Sequence, residues 1–149
     1  MSADQARYIL PATDAAATPR SDVVPDELVF RFPAHHAFMG CPGSVLETTL
    51  ALVERDVASG RDVQAAVRSI AGAVIARARP WTPVEVSIVI DDSDVFVRSS
   101  AELLDPTEPP QLGDHARATL RRNVESFEVL LEEGRMFAVL QVSLEPPAG

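Results

Sequence analysis

Hydrophobic and polar residues alternate in several stretches of this chain, and this period of two predicts β-strands. In the first stretch Leu28, Phe30 and Phe32 are each separated by one residue, and the pattern ends at a proline. The same alternation predicts four further strands, over residues 84–90, 95–97, 127–132 and 136–144. Glu133 and Gly134 stand between the last two strands, which predicts a hairpin turn there.

Between the first two predicted strands the spacing of apolar residues changes to that of an α-helix. Ser44 is the predicted start of the first helix, because Glu47 three residues later completes a capping box. Gly60 is the expected end of this helix. The apolar stripe of the helix consists of Leu46, Leu50, Val53 and Val57.

A second helix is predicted to begin near Asp62 and to stop at Pro80, which cannot continue it. Its apolar stripe consists of Val63, Val67, Ile70, Val74 and Ala78. Gly72 lies in the middle of this helix, where glycine costs roughly 1 kcal/mol against alanine. We expect close packing of the helix on a sheet to be the reason for this glycine. A short third helix is predicted over residues 115–124.

The predicted order of elements is strand, helix, helix, strand, strand, helix, strand, strand. Because hairpins dominate this order, the sheet should be mostly antiparallel, and the helices should cover one of its faces. The prediction is an α+β fold, a two-layer sandwich of a mostly antiparallel mixed sheet and helices. One domain should span residues 28–144, between a disordered or loosely docked N-terminal tail over 1–27 and a short C-terminal tail over 145–149.

The charge of the chain limits the classes of partner. Its 149 residues carry a net charge of −9, so neither a nucleic acid nor an anionic membrane surface is expected as the main partner. The single cysteine, Cys41, cannot form an internal disulfide, which suits a reducing compartment. No apolar run in the sequence is long enough to span a bilayer. We therefore expect a cytoplasmic protein.

The stretch from Arg61 to Pro80 reads R-D-V-Q-A-A-V-R-S-I-A-G-A-V-I-A-R-A-R-P, and the strand pair W-T-P-V-E-V-S-I-V-I-D-D-S-D-V-F-V-R-S-S follows it directly. In the order and spacing of its elements, the segment 28–144 resembles the ATPase domain of the anti-sigma-factor serine kinases and sensor histidine kinases, the GHKL superfamily. The resemblance implies a Bergerat-type α+β fold. The residues that perform ATP chemistry in the family are, however, replaced in this chain.

In the family, the second helix carries an acidic residue that activates the attacking water or hydroxyl, and an Asn four positions later that holds Mg²⁺. These two positions correspond to Ser69 and Ala73 of this chain, and the position of a frequent His one turn further corresponds to Arg77. The family's adenine-binding Asp, at the end of the third strand, corresponds to Ser99, and the Gly that follows it is missing.

The family's Gly-rich turn before the third helix, where backbone N–H groups hold phosphates, is also reduced in this chain. Gly113 alone remains of its glycines, and the charge of Asp114 would repel a nucleotide phosphate. We therefore predict no catalytic, cofactor-binding or metal-binding residues.

With these replacements, the resemblance implies a non-catalytic regulatory module that binds another protein in bacterial transcriptional or signalling control. Family members bind sigma factors or the antagonists that release them, so the expected partner is a sigma factor, an anti-sigma antagonist or a kinase. Two alternatives stay open: an active ATP-dependent serine protein kinase with diverged motifs, and a phosphotransfer adaptor that uses His115.

Three further groups of residues could suggest a metal site, a cation-binding loop or a nucleophile, and each is interpreted as structural. His35, His36 and Cys41 share one loop, but adjacent histidines on an extended chain point in opposite directions, so no metal site is expected. The aspartates of 91–94 lack the Gly and the distal Glu of an EF-hand and are interpreted as a hairpin turn. Ser44 resembles a nucleophile in C-P-G-S-V but serves as the predicted helix cap.

Two surfaces are candidates for protein binding. Arg117, Arg121 and Arg122 form a positive patch on the third predicted helix, which suits an acidic partner. A half-covered antiparallel sheet also has edges and a face that need cover, so a homodimer or a hetero-complex is expected rather than a lone monomer. The strand 28–32 is the expected contact. Val29 is an apolar residue on the side of this strand opposite Phe30 and Phe32.

The segment 101–112 corresponds to the flexible lid of the family. Its prolines restrict the chain and lower the entropy cost of ordering it. Leu103, Leu104 and Leu112 are apolar residues in an otherwise polar stretch. We expect them to fold inward and fill the empty pocket, because an unfilled apolar pocket loses packing contacts.

Overall fold

The structure is a computed structural model that describes residues 27–109 and 111–146. Within these ranges it contains five strands, three α-helices and a 3₁₀ helix at His36–Phe38. In chain order the main elements are β1 (Glu27–Pro33), α1 (Cys41–Leu52), α2 (Val63–Arg77), β2 (Pro83–Ile90), β3 (Asp94–Glu102), α3 (Asp114–Asn123), β4 (Ser126–Glu132) and β5 (Arg135–Ser143). This order confirms the predicted α+β class. The predicted N-terminal tail lies outside the described residues, apart from Glu27.

The strands form one sheet in the order β1-β2-β3-β5-β4. All neighbouring strand pairs in the described ranges are antiparallel, so the expectation of a mixed sheet was wrong for this part of the chain. The pairs β2–β3 and β4–β5 are hairpins, which can only be antiparallel. The connection that carries α3 takes the chain to the far edge of the sheet, so β5 returns beside β3 and runs antiparallel to it.

The hydrophobic core lies on one face of the sheet, which we call the inner face. A row of this face crosses four strands through Ile88, Val97, Leu140 and Phe127. The first three of these side chains are at most 1% exposed. Above them, α2 packs against β3 and β5, and α3 packs against β4 and α2. The structure is thus compatible with a two-layer sandwich.

The sequence of α2 explains its bounds and its orientation. The carboxylate of Asp62 caps the helix by accepting a hydrogen bond from the backbone N–H of Ala65, at 3.0 Å. The helix ends with Ala78 as its C-cap, two residues before Pro80. Every residue of the predicted apolar stripe is buried, namely Val63, Val67, Ile70, Val74 and Ala78. The prediction of this helix and of its buried face is therefore confirmed.

The presence of a glycine at position 72 has a different cause from the one expected. A Cβ atom at this position would lie 2.9 Å from the sulfur of Met39, in the segment between the 3₁₀ helix and α1. Real Cβ contacts are longer than this, so the glycine makes room for the methionine side chain and not for the sheet.

The bounds predicted for α1 were wrong at both ends. The helix begins at Cys41 with Gly40 as its N-cap, and Pro42 lies in its first turn, where proline has a favourable φ and no N–H to lose. The Ser44 hydroxyl, inside the helix, donates to the carbonyl of Gly40 at 3.2 Å. The helix ends at Leu52, and Glu54 has a left-handed φ of 56°, so residues 53–60 are not helical.

The final hairpin is confirmed, with its turn at the predicted residues. Glu133 and Gly134 both have positive φ, 50° and 77°, which is the signature of a type I′ turn. After β5 the chain remains bound to the body. Glu145 accepts a hydrogen bond from the Ser59 N–H through its carboxylate, at 2.7 Å, and donates its own N–H to the Asp56 carbonyl, at 2.8 Å. Glu145, the first residue of the predicted C-terminal tail, is therefore bound to the body, and residues 147–149 of that tail lie outside the described residues.

In the part of the chain that the structure describes, no helix is long and apolar enough to cross a membrane.

Candidate protein-binding surfaces

The positions that correspond to the family's catalytic helix lie on one side of α2. Ser69 and Ala73 are partly exposed, and Ala73 packs against the hydrophobic core. One turn further, Arg77 donates from Nη2 to the backbone carbonyl of Glu108 at 2.7 Å and lies 3.9 Å from its carboxylate. The arginine at the family's histidine position thus holds the segment after β3 against α2.

Ser99 does not stand at a strand end, where the family's adenine-binding Asp would be. β3 continues to Glu102, and Ser99 lies on its inner face between Val86 and Ala138 of the neighbouring strands. Its side chain is 3% exposed. The predicted end of this strand was wrong, because the small residues from Ser99 to Ala101 fit a buried strand in this sheet. A ligand in a cleft above the sheet would meet little of this hydroxyl.

The segment that corresponds to the family's lid is fastened at both of its ends. The backbone N–H of Leu103 donates to the carbonyl of Gly134 at 2.9 Å, and Leu103 and Leu112 are 2% and 8% exposed. These two leucines turn inward, as predicted. Leu104 is 56% exposed, so the prediction was wrong for this residue. Of the three leucines of the lid segment, two are therefore buried and Leu104 lies on the surface.

His35 takes part in a stack of rings. Its ring centroid lies 4.3 Å from that of His36 and 4.6 Å from that of Trp81. Its Nδ1 accepts a hydrogen bond from the Ala37 N–H at 3.0 Å. No group of three or more His, Cys, Asp or Glu side chains that could hold a metal ion occurs among the residues that the structure describes. Trp81 was missed in the sequence, where a lone Trp between Pro80 and Thr82 was the available signal.

The aspartates between β2 and β3 form the predicted turn. The Asp91 carboxylate accepts hydrogen bonds from the N–H groups of Ser93 and Asp94, at 2.9 and 2.7 Å. These bonds favour the ionised form and hold the pKa of Asp91 below its ordinary value. Arg55, which belongs to no sequence motif, donates to the backbone carbonyls of Asp91 and Asp92 at 3.3 and 2.7 Å. The aspartate cluster is thus a structural turn held by an arginine.

The arginine face of α3, defined as Arg117, Arg121 and Arg122, is exposed to solvent. None of the three side chains forms an ion pair with another residue of the described ranges. The opposite side of α3 is anchored, because Leu120 is fully buried and Asn123 is 6% exposed.

Asn123 fixes the orientation of α3 relative to α2. Its Oδ1 accepts from the backbone N–H of Asp62 at 2.9 Å, and its Nδ2 donates to the carbonyl of Thr119 at 2.9 Å. Arg61 adds a hydrogen bond to the Arg122 carbonyl, at 2.7 Å, and an ion pair with Glu125, at 3.0 Å. The arginine face therefore has a fixed position at the edge of the helix layer, next to the start of α2.

The second face of the sheet, which we call the outer face, lies opposite the helices. Its apolar residues are partly or largely exposed, and none of them belongs to the core cluster. They are Val29, Val89, Phe96, Leu130, Phe137 and Val139. Arg98 lies among them, with its guanidinium 5.3 Å from the centroid of the Phe137 ring. Phe30 and Phe32 point to the inner face, so the outer face of β1 offers Val29, as expected.

Comparison of the sequence with protein-family models finds no model that matches, and comparison with curated proteins finds no matching protein. The resemblance to the GHKL superfamily therefore depends on the sequence pattern alone. The fold shows an α+β sheet with helices on one face and does not test the resemblance.

Proposed function

We propose that this chain is a non-catalytic regulatory module of anti-sigma-factor-like type, which binds an acidic surface of another protein in bacterial transcriptional or signalling control, within the cytoplasm. The observation that carries the proposal is the arginine face of α3. Arg117, Arg121 and Arg122 are exposed together and have no ion-pair partner among the described residues. They form this group in a chain whose net charge is −9.

A local cluster of positive charge in an acidic protein favours an oriented encounter. The rest of the chain repels an acidic partner, and the arginine face attracts it, so the partner approaches from one side. Arginine also donates two parallel hydrogen bonds to a carboxylate, which fixes the geometry of the complex. The resemblance supplies the partner class: a sigma factor, an anti-sigma antagonist or a kinase.

The residues at the family's chemical positions support a module without catalysis. A serine and an alanine at 69 and 73 offer neither the general base nor the amide that holds Mg²⁺. Ser99 is buried within β3, and Arg77 is engaged with the lid segment. Phosphoryl transfer requires these groups to act together on one bound nucleotide.

The first experiment measures nucleotide binding by titration calorimetry with ATP and Mg²⁺. We expect no heat of binding for the natural chain. The variant Ser69→Glu/Ala73→Asn should fold normally and should not gain binding, because the adenine and phosphate elements are missing too. A micromolar affinity of the natural chain for ATP would favour the active serine kinase over the proposed module.

The second experiment tests the arginine face. The variant Arg117→Glu/Arg121→Glu should lose its partner in a pulldown from native cells and should keep its thermal unfolding midpoint. Arg68→Glu is a matched control, because Arg68 is an exposed arginine on the neighbouring helix α2. If the double variant keeps the partner while Leu104→Ser loses it, the lid segment and not α3 is the interface.

A further inference from the structure

The outer face of the sheet places an arginine and a glutamate on opposite sides of β5. Arg98 of β3 lies beside Val139 of β5, and Val139 lies beside Glu128 of β4. In the next row of the same face, Ser100 and Leu130 flank Phe137. The middle strand of this group therefore presents apolar side chains, and the two charges stand on either side of it.

The two charged groups do not bind each other within one chain. Neighbouring strands are about 4.8 Å apart, so the backbones of Arg98 and Glu128 are separated by about 10 Å. Neither side chain forms an ion pair in the described ranges. The guanidinium of Arg98 lies over the ring of Phe137, 5.3 Å from its centroid, which holds it close to β5. Both charges are thus available to a molecule that covers Val139 and Phe137.

We infer that a second copy of this chain docks on this face, with a two-fold axis that runs roughly along β5 above the sheet. Such a rotation exchanges the two sides of β5. It brings Arg98 of each copy opposite Glu128 of the other, and it buries Val139 and Phe137 of each copy against their counterparts at the axis. Homodimers use self-complementary surfaces of this kind, in which the same patch occurs on both subunits.

The charges also exclude the other two-fold arrangement of the same faces. A two-fold axis that runs across the strands, at the level of Val139, would place Arg98 on Arg98 and Glu128 on Glu128. Like charges that meet in an interface oppose association. The axis along β5 is the arrangement that pairs opposite charges, so the strand order of the sheet determines the geometry of the dimer.

The contact is centred on β3, β5 and β4 and does not extend along the whole sheet. At the sheet end, Glu102, Arg135 and Glu132 form a row that would meet like charges in the second copy. Packed sheets have strand directions that differ by about 30°, so their corners separate and this row stays in water. Glu102 is already paired with Arg79 at 3.0 Å.

The expected affinity follows from the size of the contact. Three strands and about three rows of side chains cover on the order of 300 Å² of each copy, from the usual strand spacing and rise. Standard stable interfaces bury about 800 Å² per partner. We therefore expect association that depends on protein concentration, with monomers at high dilution.

The test is analytical ultracentrifugation of the full chain, of Arg98→Glu, of Glu128→Arg and of the double variant, each over a wide range of concentration. Each single variant places like charges in both contacts, so its dimer should be weakened at least about tenfold. The double variant restores opposite charges and should dimerise like the natural chain. Arg68→Glu, on the helix side of the molecule, should leave the association unchanged.

A mixture of the two single variants gives the decisive result. In a heterodimer of Arg98→Glu with Glu128→Arg, both contacts again join an arginine to a glutamate, so mixing two chains that fail to self-associate should yield a dimer. Docking of the chain's own N-terminal segment, or of a different protein, predicts no such rescue. A natural chain that stays monomeric at every concentration, or a mixture that stays monomeric, would overturn the inference, as would single variants that dimerise normally.

Discussion

The two faces of the sheet are built from the same five strands and differ in almost every property. On β3, Val97 is 1% exposed on the inner face, and its neighbour Arg98 is exposed on the outer face. On β5, Leu140 is fully buried, and its neighbour Val139 is half-buried on the outer face. Adjacent residues thus belong to different environments, because successive side chains of a strand point in opposite directions.

This difference separates stability from binding. The inner face is covered by α2 and α3 and provides the packing that holds the domain together. The outer face keeps apolar side chains beside Arg98, and such a mixture suits a contact that forms and dissociates. Substitutions on the inner face should therefore change the free energy of unfolding, and substitutions on the outer face should change association.

The largest effect is expected where the helix layer meets the inner face. Ile70→Ala should lower the free energy of unfolding by about 2–4 kcal/mol, and Val74→Ala by about 1–3 kcal/mol, from lost transfer energy and the cavity that remains. Both side chains are at most 1% exposed. Arg68→Ala, on the exposed side of the same helix, should cost less than about 0.5 kcal/mol. Urea unfolding measures all three, and equal effects at 68 and 70 would show that the helix register is wrong.

A matched pair on β5 compares the two faces directly. Val142 is fully buried on the inner face, and Val139 is half-buried on the outer face. Replacement by alanine should lower the free energy of unfolding by about 1–3 kcal/mol at Val142 and by less than about 1 kcal/mol at Val139. The measurement is urea unfolding at high dilution, where monomers predominate. A larger cost at 139 than at 142 would contradict the assignment of the two faces.

The turn between β4 and β5 sets the register that produces both faces. Gly134 has a φ of 77°, so Gly134→Ala should lower the free energy of unfolding by about 1 kcal/mol. Glu133→Asn should raise it by about 0.5 kcal/mol, since Asn tolerates a positive φ better than Glu. Thermal unfolding of the two variants checks these opposite signs. If Gly134→Ala left the free energy of unfolding unchanged, the turn would not be of type I′.

The smallest effect concerns the turn between β2 and β3 and depends on pH. Backbone N–H groups of Ser93 and Asp94 hold the pKa of Asp91 below its ordinary value. The stability that the carboxylate contributes is therefore complete above the ordinary aspartate pKa of about 4 and is lost as the pH falls through the lower pKa of the folded state. Asp91→Ala should lower the urea midpoint at neutral pH and match the natural chain in strong acid. Asp92→Ala is the control. If the difference in urea midpoint between Asp91→Ala and the natural chain grew as the pH fell, the stability could not be assigned to the ionised Asp91 carboxylate.

Local signals in the sequence predicted some elements well. For α2, the predicted start near Asp62, the apolar stripe and the stop at Pro80 agree with one another, and the structure confirms all of them. For α1, two local signals competed, and Pro42 in the first turn prevailed over the capping box at Ser44. β3 was predicted too short because its last residues are small, and only the neighbouring strands explain their burial.

Contacts between distant parts of the chain could not be predicted in this way. The Arg55 guanidinium donates to the turn after β2 and to the carbonyl of Glu145, which is 90 residues from Arg55 in the chain. Its Nε is buried without a hydrogen-bond partner among the described residues. The stack of His35 on Trp81 likewise joins two loops. No sequence periodicity and no motif accompanies either contact, so neither could be predicted from a local pattern.

By itself, the sequence determined the kinds of element, their order and the side of each strand that is apolar, because side-chain periodicity and helix caps act over a few residues. It also determined that a serine, an alanine and a serine stand at 69, 73 and 99. Only the tertiary structure decided that β5 lies between β3 and β4, and therefore that Arg98 and Glu128 flank Val139. Strand pairing depends on contacts between residues far apart in the chain, and these contacts determine which surfaces a partner can meet.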